Sequence, residues 1–253
     1  MIEVRDLRKS FGQNEVLKGI DASFKPGQAN LIIGQSGSGK TVFLKCLLGL
    51  FEADSGKILY NDRNVTEMNI KEKRQIRQEL GMVFQGGALF DSLTVEENIR
   101  FPLNMFSDMS ESEKSDRVNF CLKRVRLEDA NKKFPSEISG GMQKRVAIAR
   151  AIVLNPKYLF CDEPNSGLDP RTAVVIDNLI KEIAEEYQIT TVINTHDMNS
   201  VLEIGDHIVF LKNGLKAWEG NKEDIIETEN EDIVNFVYTS ELFKTIRRAN
   251  RKV

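Results

Sequence analysis

Apolar and polar positions alternate through the opening segments IEVRDL and VLKGIDASF as far as Lys25-Pro26-Gly27, so the chain begins with strands and a turn. ANLIIG follows as a short, almost continuous apolar run, the pattern of a strand buried on both faces. It leads into the glycine-rich GQSGSGKT and then TVFLKCLLGLF, whose apolar residues recur at helical spacing. Residues 57 to 84 add the strands KILY and GMVFQ around a charged, helical KEKRQIRQEL. Between about 90 and 152 strand signals stop. TVEENIRFPL, then SESEKSDRVNFCLKRVRL with a Ser110–Glu113 capping box, then MQKRVAIARAIVL all read as helices. KYLFCDE and ITTVINT are buried-type strands separated by the helix TAVVIDNLIKEIAEEY, and HIVFLKNGLKAWEG is a hairpin turning at Asn213-Gly214. The pattern predicts one α/β domain over 1–253, with core segments 1–90 and 153–220. A helical subdomain at about 91–152 and a charged helical tail from about 221 to 253 complete it.

Composition narrows the function without naming it. At 253 residues with a net charge of −3, the chain carries no basic field that would suit nucleic acid. Its apolar runs are much shorter than a bilayer-spanning helix, and MIEVRDLRKSFG has no signal-peptide pattern, so the chain is expected in the cytoplasm. Cys46, Cys121 and Cys161 lack metal spacing; Cys46 and Cys161 fall in apolar stretches and read as small core residues.

Candidate chemistry comes from five short strings. Gly34, Gln35, Ser36, Gly37, Ser38, Gly39, Lys40 and Thr41 complete a phosphate-loop pattern between a strand and a helix. There backbone N–H groups converge on phosphates, Lys40 reaches the β- and γ-phosphates, and the Thr41 hydroxyl ligates Mg²⁺. Asp162 and Glu163 close an apolar strand at the sheet edge where ligands bind in open α/β folds. Asp162 suits the Mg²⁺ shell and Glu163 suits orientation or deprotonation of an attacking water. Ser139, Gly140 and Gly141 open a helix, either as a plain N-cap or as a second anion site for a partner's nucleotide. His196, after TTVINT, suits a γ-phosphate sensor, and Gln85, after GMVF, suits a contact to Mg²⁺ or the lytic water. Phe11 has two readings, an adenine-stacking ring or a core residue.

With these strings in this order, the chain resembles the ATP-binding cassette (ABC) ATPases over nearly its whole length. The resemblance implies a P-loop NTPase fold: a RecA-like core, an N-terminal antiparallel β subdomain and an inserted helical subdomain. It implies ATP and Mg²⁺ as cofactors, a homodimer sandwiching nucleotide, Phe11 in the adenine loop and Gln85 in the Q-loop. Ser139 to Met142 would be the signature, Ser166 to Asp169 the D-loop and His196 the switch. Two positions depart from the commonest pattern: Phe11 replaces tyrosine, and Met142 replaces the signature glutamine. SGGM together with FQGGALFDSLTVEENIRFPL is similar to the ATPase subunit of Mla/Mce-type phospholipid transporters. That likeness implies a multi-spanning permease, an Mce-domain lipid-binding protein and a STAS-type regulatory subunit as partners, on the cytoplasmic face of the inner membrane. In cassette ATPases the segment after Gln85 contacts the membrane subunits, so Ala88, Leu89, Phe90, Leu93, Phe101 and Leu103 have two readings, an exposed docking patch or core packing of several of them. A small-solute importer and a non-transport envelope or cell-division complex use the same engine and are the alternatives.

Overall fold

The computed structural model describes residues 1–238, and its strands form two sheets. In chain order, β1 (Ile2–Phe11) and β2 (Asn14–Phe24) form a hairpin and β3 (Gln28–Ile33) leads into α1 (Lys40–Leu47). β4 (Ser55–Tyr60), β5 (Arg63–Asn64), α2 (Ile70–Gln78) and β6 (Leu80–Val83) follow. Then come α3 (Val95–Phe106), α4 (Glu111–Arg124), α5 (Gly140–Ile152), β7 (Tyr158–Asp162), α6 (Pro170–Glu186) and β8 (Thr190–Asn194). The described part ends with α7 (Met198–Ile204), β9 (His207–Lys212), β10 (Leu215–Gly220), α8 (Asp224–Glu227) and α9 (Glu231–Val237). The rest of the expected tail, with Arg247, Arg248, Arg251 and Lys252, lies outside the described residues.

The larger sheet runs β10-β9-β3-β8-β7-β6, parallel except where β10 returns beside β9. The smaller, antiparallel sheet runs β2-β1-β4-β5. Alternate residues of each central strand serve different cores, as the period-two geometry requires. Leu31, Leu159, Cys161, Ile193 and Phe210 pack with the helices α3 to α7. Ile32, Phe160, Val192 and Val209 pack with α1 and the small sheet. Burial on both faces explains why these strands are apolar over most of their length, each large apolar side chain contributing about 1.5–3 kcal/mol. Tyr60 and Tyr158 join the two sheets with ring centroids 4.5 Å apart, and the Tyr60 hydroxyl donates to the Leu47 carbonyl at 2.8 Å. All three cysteines are buried and unpaired by disulfide, and burial pushes the Cys46 and Cys121 thiols up to about 11. No helix among the described residues is long and apolar enough to cross a membrane.

The helices after β6 are capped where the sequence places caps. Thr94 and Ser110 each form a capping box, with Glu97 and Glu113. Helix α3 runs through Pro102 to Phe106 instead of stopping at Leu103. The carbonyl that proline leaves without its usual donor is that of Asn98. The Asn98 side chain is fully buried, donates to the carbonyls of Phe90, Leu93 and Thr94, and so holds the preceding loop against the helix. The apolar surface expected between Ala88 and Leu103 needs one correction. Leu103 is 0 % exposed in the helical core, because the buried stripe of α3 runs through Val95, Ile99 and Leu103. Leu89 and Leu93 are half-buried, while Phe90 and Phe101 are exposed with ring centroids 4.8 Å apart. Met105, one turn beyond Phe101, is also exposed.

Candidate functional site

The carboxyl ends of β3, β7 and β8 lie side by side, and the loops leaving them build one cleft. Gly34 to Gly39 curl around the N-terminus of α1, where a Cβ on Gly34 (φ 152°) would come 2.3 Å from the Leu211 carbonyl oxygen. Glycine there allows the closest approach of loop to sheet. The cleft, about 680 Å³, is lined by the glycine loop, Lys40, Thr41, Glu163 and His196, with Val16 and Phe236 at its sides.

Lys40 is 7 % exposed and its ammonium donates back to its own loop, to Gly34 O at 2.8 Å and Gln35 O at 3.1 Å. Burial lowers its pKa, against the raising influence of Glu163 and Asp162. Asp162 is the register partner of Asn194, whose Nδ2 donates to the Asp162 carboxylate and lies 3.5 Å from Thr41 Oγ1. Burial raises the Asp162 pKa; the Asn194 hydrogen bond opposes this and the neighbouring Glu163 adds to it. Glu163 follows in the left-handed region (φ 47°), pinned by its own N–H to the Asn194 carbonyl at 2.8 Å. This turn aims the carboxylate off the sheet edge. Gln85 Nε2 donates to one of its oxygens at 2.8 Å, and His196 Nδ1 lies 2.9 Å from the other.

Ser38 Oγ and Asn194 Oδ1 are buried without a protein partner next to the cleft, though neither side chain lines it. Among the described residues no group of three acids, histidines or cysteines could cage a metal by itself. One hydroxyl, one carboxylate and one amide, from Thr41, Asp162 and Gln85, instead fit Mg²⁺, which keeps waters and substrate phosphates in its shell.

The remaining candidates lie elsewhere. Ser139 and Gly140 are exposed at the start of α5, where Ser139 Oγ accepts from Met142 N at 3.3 Å; with Gly141, they are absent from the cleft lining. Helix α5 nonetheless reaches the cleft indirectly. Lys144 donates to the Gln85 carbonyl, and Arg150 donates to the Gly87 and Ala88 carbonyls at 2.7 and 2.8 Å. Phe11 is 46 % exposed, edge-on to Phe51 at 5.3 Å with the Lys9 ammonium 5.4 Å from its ring. Asp169 caps α6, accepting from Arg171 N and Thr172 N at 3.1 Å. Sequence reasoning missed Asn194, Lys144 and Asn165. Only Asn194 left a signal, a polar residue closing an otherwise apolar strand.

A family model described as ABC transporter matches residues 17–166. A probable ribonucleotide transport ATP-binding protein, mkl, of Mycobacterium leprae is 39 % identical over 233 residues, covering 92 % of this chain and 67 % of that protein. The methionine import ATP-binding protein MetN of Clostridium tetani is 37 % identical over 242 residues, covering 96 % and 76 %. Among solved structures, the dimeric ATP-binding cassette MJ0796 in a post-hydrolysis state with ADP and Pi superposes with a TM-score of 0.78 at 33 % identity, covering 88 % of this chain and 99 % of that one. The cbiO1 protein of Clostridium perfringens, part of the ABC transporter complex cbiONQ, gives 0.84 at 29 % identity, covering 99 % and 98 %.

Proposed function

Since the chain belongs to the ABC transporter family, we propose that it is the ATP-hydrolysing subunit of a membrane transporter, active as a homodimer. The observation that carries this reading is the Glu163 carboxylate held between Gln85 and His196 at the mouth of a phosphate loop. ATP enters with its phosphates over Gly34 to Thr41, and Lys40 exchanges two loop carbonyls for β- and γ-phosphate oxygens. Thr41, Asp162 and Gln85 would hold Mg²⁺, which when bound would neutralise charge on the phosphates. Glu163 orients the attacking water and takes its proton, and His196 donates to the γ-phosphate, so that ADP and phosphate leave.

One chain provides half of each site. Ser139, Gly140 and Gly141 lie outside the cleft lining, at the N-terminus of a 13-residue helix where Ser139 and Gly140 are exposed. A second copy turned about a two-fold axis would bring them to the γ-phosphate, an arrangement in which each protomer completes the other. The dimer of the related cassette MJ0796 supports this. The permease contact is the exposed face carrying Phe90, Phe101 and Met105, which α5 holds next to Gln85 through Lys144 and Arg150. A movement there would reach Glu163 through the Gln85 side chain.

For the cargo, the relatives favour a small solute, since one is a methionine import ATP-binding protein and another a probable ribonucleotide transport ATP-binding protein. Phospholipid transport is the second reading. It rests on Met142 in the signature and on the segment after Gln85, and it brings the Mce-domain and STAS-type partners with it. The test is purification of the native membrane complex and identification of its other subunits. A permease with a solute-binding protein supports import, a permease with an Mce-domain protein supports lipid transport, and absence of any permease refutes the transporter reading.

A further inference from the structure

Beneath the turn that carries Glu163 lies a buried polar cluster that none of the nucleotide contacts uses. Asn165 is 7 % exposed, and Asp177 and Ser200 are each 2 % exposed. Asn165 Nδ2 lies 2.7 Å from Ser200 Oγ, 3.1 and 3.4 Å from the two Asp177 oxygens, and 3.4 Å from Asp197 Oδ2. The Ser200 hydroxyl also hydrogen-bonds to Asp177. Three elements therefore meet at one carboxylate: the loop after β7, helix α6, and the start of helix α7.

The cluster makes poor sense as a stabilising device. The charged groups bearing on Asp177 are Asp197 and Glu203, both acids, and the Cys161 thiol on β7 is pushed up by burial, with Asp177 adding to the effect. A buried carboxylate faced by amide, hydroxyl and further acids is costly, and apolar residues of similar size would hold the three elements together at less expense. What the cluster does offer is connection. Glu163 stands two residues before Asn165, which donates to Asp177. His196 stands one residue before Asp197, which lies 3.4 Å from the same Asn165 amide. The two partners of the 2.9 Å Glu163–His196 contact therefore both lead to Asn165 and through it to Asp177.

We propose that Asp177 is a positioning residue for hydrolysis, tying the Glu163 turn to the His196 helix through Asn165, Ser200 and Asp197. The proposal rests on the ATPase reading above. The ionised carboxylate has two oxygens to accept from Asn165 and Ser200 together; protonation takes one of them away and slackens the tie. Burial pushes this carboxyl up to about 6, so the tie is complete at neutral pH and loosens in mild acid.

The experiment compares the wild-type full chain with Asp177→Asn, which keeps the shape, and with the double variant Asn165→Leu/Asp177→Leu, which removes both partners at once. Expected is a fall in kcat for ATP of roughly 10- to 100-fold, the cost of a small misplacement of catalytic groups. KM should stay within about twofold and the melting temperature at or above that of the wild type. The wild type should also lose kcat as the pH drops through about 6, along a limb that Asp177→Asn lacks. Variants that fold and keep wild-type kcat overturn the proposal, as do variants whose kcat and melting temperature fall together, which marks a packing role. A wild type without ATP turnover overturns the ATPase reading, and the proposal with it.

Discussion

Replacing Asp177 by Asn should make the protein more stable at neutral pH, and the size of the gain follows from its burial. The carboxyl titrates at about 6 in the fold against 3.8 for an unburied aspartate. Between those values the fold holds a proton that the unfolded chain has released. The group's contribution is therefore most favourable below about pH 4, falls as the pH rises, and is lost above the folded value. At about 1.4 kcal/mol per pH unit, the cost of ionised Asp177 at pH 7.5 is about 3 kcal/mol. Asparagine removes the charge and keeps one acceptor for Asn165 Nδ2, but it gives up a hydrogen bond worth about 1 kcal/mol. The net gain at pH 7.5 is about 2 kcal/mol, or roughly 4–8 °C in melting temperature for a domain of this size. At pH 5 the advantage should shrink by about 1.4 kcal/mol, because wild-type Asp177 is then largely protonated in the fold. Urea unfolding followed by circular dichroism at both pH values measures it. A variant less stable than the wild type at pH 7.5, or a difference that does not change with pH, would refute the reasoning.

Other expectations follow from the same geometry. Lys40→Ala should keep the fold and lose ATP turnover by about 10²-fold or more, because the ammonium's only partners in the described structure are two loop carbonyls; normal turnover would remove Lys40 from the site. Leu103→Ala should cost about 2–5 kcal/mol as a core cavity, read by urea unfolding, whereas Phe101→Asp on the exposed face should cost little. Phe90→Asp with Phe101→Asp should abolish co-purification with membrane subunits while the isolated protein keeps its ATPase activity; retained association would move the docking surface elsewhere. Gly34→Ala should abolish nucleotide binding, measured with a fluorescent ATP analogue, because the added Cβ would sit 2.3 Å from the Leu211 carbonyl oxygen.

The phosphate loop, the Asp162-Glu163 strand end and His196 were legible because their chemistry demands particular residues at fixed positions on local elements. The α/β fold was legible for a related reason: strands buried on both faces must be mostly apolar, and residues 31–33, 158–161 and 192–193 of β3, β7 and β8 are, with Asn30, Thr190, Thr191 and Asn194 as buried polar exceptions. Leu103 was misplaced because the apolar residues of α3 fill more than one stripe, and only packing shows that Ile99 and Leu103 face inward while Phe101 and Met105 face out. The helix read as TVEENIRFPL includes Pro102, and the structure extends it three residues further, to Phe106. Asn165 escaped notice because a polar residue in a Ser/Gly-rich loop reads as solvated. Its burial depends on Asp177 and Ser200, which arrive 12 and 35 positions later.

Turnover and assembly of Glu163→Gln with ATP test the two-protomer hydrolysis site most directly. The amide can still meet Gln85 and His196 but cannot take a proton from water. ATP hydrolysis should fall roughly 10²- to 10⁴-fold while nucleotide still binds. On a sizing column with Mg²⁺ and ATP, the variant should therefore run as a dimer that the nucleotide-free protein does not form. A variant that remains monomeric with ATP and hydrolyses it at the wild-type rate would contradict both the role of Glu163 and the shared site.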